Sequence, residues 1–154
     1  MPTKIPDKES EAYTAGMLEL AIKDKEKSSK VTELMLDLAK ASMLSITNPK
    51  KLSEDTVSIY SKALTLDLPP GVAAFMLHQR ATTYLFSNKL AEAKEDATKI
   101  IQLAPDSAAG YYVYAQTCRA EGDNKTAVEY LHKALEKEPV YEHAKKLLEQ
   151  IEKP

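Results

Sequence analysis

The fold is decided by residues 72–105, VAAFMLHQRATTYLFSNKLAEAKEDATKIIQLAP, and by the segment 106–139 that follows, DSAAGYYVYAQTCRAEGDNKTAVEYLHKALEKEP. When the two segments are aligned, similar residues stand at matched positions, always 34 residues apart (139 − 105 = 34). They include small residues and the closing proline, and at one position a tyrosine is matched by a cysteine. The matched pairs are Ala81 and Ala115, Tyr84 and Cys118, Ala93 and Ala127, and Pro105 and Pro139. This period, with small residues at fixed offsets, is typical of helix–turn–helix repeats that stack into a solenoid. Such solenoids present a concave surface that binds another polypeptide.

The bulk composition is that of a folded, nearly neutral protein. The 154 residues are 44% hydrophobic and 29% charged, and the formal net charge is −2. A chain of this length fits one domain, which buries roughly 70% of its unfolded surface. A net charge so close to zero does not attract phosphate backbones or an anionic bilayer, so we expect neither a nucleic-acid nor a membrane partner.

A single cysteine and a polar amino-terminal segment indicate the compartment. Cys118 has no second cysteine with which to form an intramolecular disulfide, and residues 1–11 contain no apolar run that could act as a signal sequence. Both observations favour the reducing cytoplasm, with the nucleus as the alternative.

Apolar periodicity predicts about eight helices in one domain, 1–154. The predicted helices are 8–26, 30–46, 54–66, 72–87, 90–103, 108–121, 125–137 and 140–152. We interpret them as an N-terminal helix (8–29), a degenerate repeat (30–68), two clear repeats (72–105 and 106–139) and a capping helix (140–152). The N-terminal helix is either a cap or half of a fourth unit. Pro105 and Pro139 end the repeats because proline cannot continue a helix, and Gly122 supplies a left-handed turn residue.

The two clear repeats resemble the tetratricopeptide repeat, whose pattern is W-x2-L-G-x2-Y, then A-x3-F, then P. The first repeat supplies Leu77, Arg80, Ala81, Tyr84, Ala93, Ala97 and Pro105, and the second supplies Tyr111, Tyr114, Ala115, Cys118, Ala127, Leu131 and Pro139. The chain departs from the pattern because it has no tryptophan, Ala97 in place of an aromatic residue and Cys118 in place of tyrosine. The resemblance implies an all-α fold: an antiparallel helix-pair solenoid with a C-terminal capping helix.

No pattern of residues predicts catalysis. His78, His132 and His143 form no zinc-binding motif, and one cysteine excludes the multi-cysteine zinc patterns. Cys118 lies on a packing face, where a thiol acts as a small buried hydrophobe. We therefore expect no enzymatic activity, no cofactor and no metal.

A second face on the first helix of each repeat carries the candidate site. In the tetratricopeptide family this face lines the concave groove, so the resemblance implies that its side chains contact a bound polypeptide. The candidate groove residues are Phe75, His78, Gln79, Thr82, Leu85 and Phe86 in the first repeat, and Tyr112, Val113, Gln116 and Arg119 in the second. The alternative for Phe75, Leu85 and Phe86 is packing within the solenoid, Phe75 against residues 68–70 and the other two against the preceding unit.

The same face lacks the charges that one familiar type of ligand needs. Many co-chaperones of this family hold the acidic C-terminus of heat-shock proteins with lysine, arginine and asparagine. The corresponding positions in this chain are Gln79 for the asparagine, Ala109 for the lysine and Val113 for the arginine. A carboxylate would find no charge-assisted partner there. We therefore expect this carboxylate clamp to be absent.

The favoured hypothesis is an adaptor that binds a peptide or an amphipathic helix of another protein in this groove. One alternative is a co-chaperone that binds heat-shock protein tails through other residues, such as Lys30 and Lys40. A second alternative is a weakly self-associating scaffold, in which helix 8–26 or helix 140–152 packs between copies.

Overall fold

The computed structural model describes residues 7–153, and residues 1–6 and 154 of the predicted domain lie outside them. The described residues form eight helices and no strand, which confirms the predicted all-α class. The helices are α1 (Lys8–Lys23), α2 (Lys25–Leu44), α3 (Pro49–Leu64), α4 (Pro70–Phe86), α5 (Leu90–Leu103), α6 (Ala108–Ala120), α7 (Asn124–Lys137) and α8 (Glu142–Glu152). None of these helices is long and apolar enough to cross a membrane.

Side-chain caps set several helix starts. Each cap is an Asp, Asn or Ser whose oxygen accepts a hydrogen bond from a backbone N–H of the first turn, which has no partner inside the helix. Asp24 caps α2 by accepting from the Lys27 N–H, and Asn48 caps α3 by accepting from the Lys51 N–H. Asp7, Ser107 and Asp123 do the same for α1, α6 and α7.

These caps correct two predicted boundaries in the amino-terminal half. The predicted helix 8–26 ends at Lys23, because Asp24 leaves helical geometry and starts α2 directly. The predicted boundary between residues 29 and 30 therefore falls inside α2. Helix α3 begins at Pro49 and not at residue 54, since proline suits the first position of a helix, where no N–H is needed.

Helices pack as antiparallel pairs, α4 with α5 and α6 with α7, and each pair packs on the next through α5 and α6. Four alanines at matched repeat positions are fully buried between the helices: Ala81, Ala93, Ala115 and Ala127. Their small side chains let the helix axes approach closely, as the spacing of 34 predicts. Helix α8 packs against α7 and covers the end of the solenoid with Ala144 and Leu147.

Helix α1 occupies a position that its sequence does not indicate. It packs mainly against α4 and only lightly against α2, its neighbour in the chain. Two close approaches fix this contact: Gly16 lies against Val72 and Pro69, and Gly71 lies against Ala12. The N-terminal helix therefore lies across the beginning of α4, with Leu20 buried beside Val31 of α2 in the amino-terminal core.

Candidate functional site

The concave face is built from the first helix of each unit, α4 and α6, together with α8. Side chains on one helix face recur every three or four residues, so Thr82, Leu85 and Phe86 of α4 follow one another toward its carboxyl end. Gln116 and Arg119 take the same positions on α6, each 34 residues after its counterpart in α4 (Thr82 and Leu85). The repeat thus brings two equivalent helix faces side by side.

These side chains enclose a cleft of about 430 Å³. We call it the open cleft, and its lining residues are Thr82, Leu85, Phe86, Gln116, Arg119, Ala120 and Leu147. Five of the predicted groove residues meet here. Leu147 of α8 is buried in the carboxyl-terminal core and also lines the cleft. Only the docking of α8 brings it there.

Phe86 is the largest apolar side chain that lines the open cleft, and it is 85% exposed. An exposed phenylalanine is costly in water, and aromatic rings contribute strongly when a partner covers them. The ring does not pack on the preceding unit, which was the alternative for this residue. Leu85 beside it is half-buried.

The open cleft has few polar side chains, and each is held in place by a hydrogen bond. The Arg119 guanidinium donates to the Gln150 side-chain oxygen at 3.0 Å, and the Gln116 amide donates to the Tyr112 hydroxyl at 3.1 Å. Thr82 donates its hydroxyl proton to the His78 carbonyl. Arg119 is exposed and its partner is a neutral amide, so its positive charge stays available to a ligand.

The other half of the concave face is covered by α1. We call the pair Phe75 and His78 the covered half. The Tyr13 ring lies on Phe75 with 4.2 Å between the ring centroids, and the Glu9 carboxylate lies 2.7 Å from His78 Nδ1. Both members of the Glu9–His78 pair are largely buried. These two predicted groove residues therefore contact a helix of their own chain.

Hydrogen bonds at the start of α1 fix it to the carboxyl-terminal repeat. The Lys8 backbone N–H donates to one Glu138 carboxylate oxygen at 2.8 Å, and the Ala108 N–H donates to the other at 2.6 Å. The Lys8 ammonium donates to the carbonyls of Asp106 and Lys137. Glu138 thus joins the amino-terminal ends of α1 and α6 through one buried carboxylate.

An aromatic cluster lies where α6 meets α8. Tyr112 is 5.7 Å from Tyr141 and 5.9 Å from His143, measured between ring centroids. The pKa values of Tyr112 and Tyr141 are both raised, mainly because burial disfavours the charged phenolate. Both phenols therefore stay protonated, and Tyr112 serves as a neutral partner for Gln116.

Two predicted groove residues lie elsewhere. Val113 is fully buried against Ala81 and Ala97, in the core between α4, α5 and α6, so it does not line the groove. Gln79 is half-buried and is not among the residues that line the open cleft. Ala109 is also buried. None of the three positions that the family resemblance assigns to a carboxylate clamp carries a cationic side chain.

Arg80 forms a buried ion pair that sequence reasoning missed. Its guanidinium donates to both oxygens of Asp96, at 2.8 and 2.6 Å, and to the Ser61 hydroxyl at 3.0 Å. The hydrogen bonds to Asp96 raise the pKa of Arg80. This arginine takes the place of the leucine in the repeat pattern and joins α3, α4 and α5. Its signal in the sequence was an unexpected charge at an apolar repeat position.

The remaining reactive groups have structural surroundings. Cys118 is buried, as its position in the repeat predicts, and desolvation raises the pKa of its thiol, which opposes formation of a nucleophilic thiolate. His132 and His143 are exposed. Within residues 7–153 no three His, Cys, Asp or Glu side chains are grouped so as to hold a metal ion.

Known structures share this architecture. The first tetratricopeptide domain of Spaghetti (RPAP3) bound to the HSP90 peptide SRMEEVD is 20% identical and covers 79% of this chain and 91% of its own, with a TM-score of 0.61. The second such domain of human RPAP3, in complex with the HSP70 peptide SGPTIEEVD, is also 20% identical. The match covers 80% of this chain and 99% of that domain, with a TM-score of 0.61. The N-terminal domain of stress-induced protein-1 from C. elegans is 19% identical. The match covers 80% of this chain and 98% of that domain, with a TM-score of 0.58.

At this level of identity the likeness shows a common helical-repeat fold. No curated protein matches the sequence. The tetratricopeptide repeat profile matches residues 85–151, which span the end of α4 through α8 and include most of the open cleft. The predicted resemblance is confirmed. Residues 85–151 match the tetratricopeptide repeat, and the described helices share the solenoid fold of the tetratricopeptide domains named above.

Proposed function

We propose that this chain is a non-enzymatic adaptor that binds a peptide segment or an amphipathic helix of another protein in the open cleft. The observation that carries the proposal is the cleft itself, about 430 Å³ between α4, α6 and α8, with the Phe86 ring exposed at its edge. A concave, mainly apolar pocket with a few placed polar groups is the usual form of a binding site.

The lining indicates the chemistry of the ligand. Leu85, Phe86 and Leu147 offer an apolar surface to an aliphatic or aromatic anchor, while Gln116 offers an amide to backbone groups. Arg119 adds one positive charge, which suits a single carboxylate or carbonyl near the anchor. A mixed peptide with one apolar anchor and one acidic group fits this set best.

The structural neighbours support peptide binding as the general activity. Two of them were solved with heat-shock peptides that end in the acidic sequence EEVD. They also favour the alternative of a co-chaperone for such tails. Against that alternative, Ala109 and Val113 are buried and uncharged at the clamp positions, so a C-terminal carboxylate has no cation there.

Self-association remains a second alternative because several large apolar side chains of α1 and α2 are exposed. They are Leu18, Ile22, Leu36, Met43 and Leu44. Light scattering over a concentration series distinguishes it from the adaptor, which stays monomeric without a partner. The buried thiol of Cys118 suits the reducing cytoplasm or nucleus, where we place this adaptor.

Selection from a random peptide library on the immobilised chain tests the proposal. We expect recovered peptides to share an apolar anchor, and the Phe86→Ser variant to bind them roughly 10- to 30-fold more weakly, because an aromatic anchor contributes about 2 kcal/mol. The matched control is Leu44→Ser on α2, a residue with the same 85% exposure, which should leave affinity unchanged.

Two outcomes would contradict the adaptor hypothesis. The first is equal binding of the selected peptides to the Phe86→Ser and wild-type chains. The second is preferential binding of SRMEEVD over every selected peptide, which would favour the co-chaperone. Both variants change exposed side chains, so their circular dichroism spectra should match that of the wild type.

A further inference from the structure

We propose that the covered half of the concave face is a second, helix-binding surface, that α1 occupies it in cis, and that it accepts a partner helix of the same chemistry in trans. The inference rests on the proposed function, because it assigns the ligand class of the other half of the same groove. It concerns Phe75 and His78, and not the open cleft around Phe86.

The contacts of α1 describe the helix that this surface fits. Glu9, Tyr13 and Gly16 stand at positions i, i+4 and i+7, which lie on one helix face. Glu9 meets His78 at 2.7 Å and Tyr13 stacks on Phe75. A ligand helix therefore presents a carboxylate, an aromatic ring one turn later and a small residue in the following turn.

The need for small residues is steric. A Cβ atom on Gly16 would lie 2.7 Å from Val72 Cγ2, which is closer than real Cβ atoms approach another heavy atom. On the α4 side, a side chain at Gly71 would collide with the Ala12 carbonyl. The two helices thus touch at Gly16 and Gly71, and larger residues at either position would separate them.

Release of α1 breaks its contacts with α4 and its hydrogen bond to Glu138, which a partner helix has to replace with contacts of its own. Gly16 and Leu20 are its buried residues, whereas Leu18 and Ile22 on its outer side are 61% and 70% exposed. Asp24 alone separates α1 from α2. Rotation about this residue can move α1 away from α4 without unfolding either helix, since hinges need only a few residues at the ends of elements.

The short connection also decides between partners. The link through Asp24 keeps α1 at a high effective concentration beside its site. The same helix from a second copy makes identical contacts and gains nothing over the cis helix. A different protein's helix can win by making stronger contacts with Phe75 and Val72. We therefore infer a partner helix and not a domain-swapped copy.

A full-length Gly16→Leu chain tests this inference, because the leucine side chain collides with Val72 and displaces α1. A fluorescein-labelled peptide of residues 7–23 serves as the probe in fluorescence anisotropy. We expect it to bind the Gly16→Leu chain at least tenfold more tightly than the wild type, whose site α1 already occupies. Adding Phe75→Ala to the Gly16→Leu chain should weaken binding at least tenfold.

Two controls separate this surface from the open cleft. Phe86→Ser in the Gly16→Leu background should leave probe affinity unchanged, whereas it should weaken binding of library peptides roughly 10- to 30-fold if the adaptor proposal holds. A probe that itself carries Gly16→Leu should not bind. A failed library selection would therefore count against the open cleft alone. A failed probe experiment would count against the covered half alone.

The inference is overturned if the probe binds wild type and Gly16→Leu equally, or if Phe75→Ala has no effect. It is also overturned if the wild type forms dimers that the probe dissociates, since the occupant would then be a second copy. Should Gly16→Leu not fold, hydrogen exchange of the wild type decides. Amides of α1 should exchange at least tenfold faster than those of α4, and equal rates would refute release.

Discussion

Phe75 and Phe86 lie on the same face of α4, yet their surroundings are opposite. Helical spacing places both on the concave side, which the structure retains. Tyr13 covers Phe75, while Phe86 is exposed beside the open cleft. The difference arises from α1, which is distant in sequence and carries only a weak apolar stripe. A residue's face was therefore predictable, whereas what covers it was not.

Val113 shows the limit of face assignment at the residue scale. It borders the groove positions of α6 in sequence, one residue after Tyr112. The helix α6 is turned so that Val113 packs on Ala81 and Ala97. Adjacent residues are about 100° apart around the helix axis. If the helix is rotated about its axis from the assumed orientation, a residue assigned to the groove can therefore lie in the core.

Breaking the buried pair of Arg80 and Asp96 should strongly reduce stability. Asp96 is 2% exposed, so Arg80→Met leaves a buried carboxylate without its cation and should lower the free energy of unfolding by about 3–5 kcal/mol. Replacing both, Arg80→Met with Asp96→Leu, should recover most of that loss, because well-packed apolar residues can substitute for a buried pair. Urea denaturation measures all the variants.

The control for this prediction is Lys99→Met. Lys99 pairs with Glu95 on the surface of α5, where both side chains are exposed, so the change should stay below about 0.5 kcal/mol. A loss of less than about 1 kcal/mol for Arg80→Met would show that the pair does not hold α4 to α5.

At the scale of elements, the limits of α5 were predicted because Lys89 precedes a regular apolar pattern and Pro105 follows it. The limits of α2 and α3 were not, since Asp24 and Asn48 were not recognised as caps. A capping Asp or Asn inside a charged segment resembles any other solvated residue. Its role becomes visible only from the backbone N–H that it accepts.

The turns within the two clear repeats allow a matched test. Asn88 and Gly122 are 34 residues apart (122 − 88 = 34), and both have positive φ, 55° and 86°. A side chain with a Cβ is strained in this region by about 1 kcal/mol, while glycine is not. No heavy atom would meet a Cβ on Gly122, so only backbone strain changes there.

We therefore expect Gly122→Ala and Asn88→Ala each to lower the free energy of unfolding by about 1 kcal/mol. Asn88→Gly should stay within about 0.5 kcal/mol of the wild type. The control is Ser87→Ala, in the same turn but with φ of −90°, for which thermal and urea unfolding should show little change. A neutral Gly122→Ala would contradict the assigned turn geometry.

For the whole molecule, the period of 34 predicts the solenoid and the concave face, because matched alanines let the helix pairs of the two clear repeats pack alike. It does not predict how that face is divided. The division depends on α8, which closes the open cleft with Leu147, and on α1, which contacts Phe75 and His78. Both helices lie outside the two clear repeats and are placed by tertiary contacts.

We propose that a partner peptide binds the open cleft of the concave face. Hydrogen exchange with mass spectrometry, with and without a library-selected peptide, tests it most directly. We expect slower exchange at the carboxyl ends of α4 and α6, residues 82–86 and 116–120, and around Leu147 of α8. Protection confined to α3, α5 and α7, or no protection at saturating peptide, would contradict it.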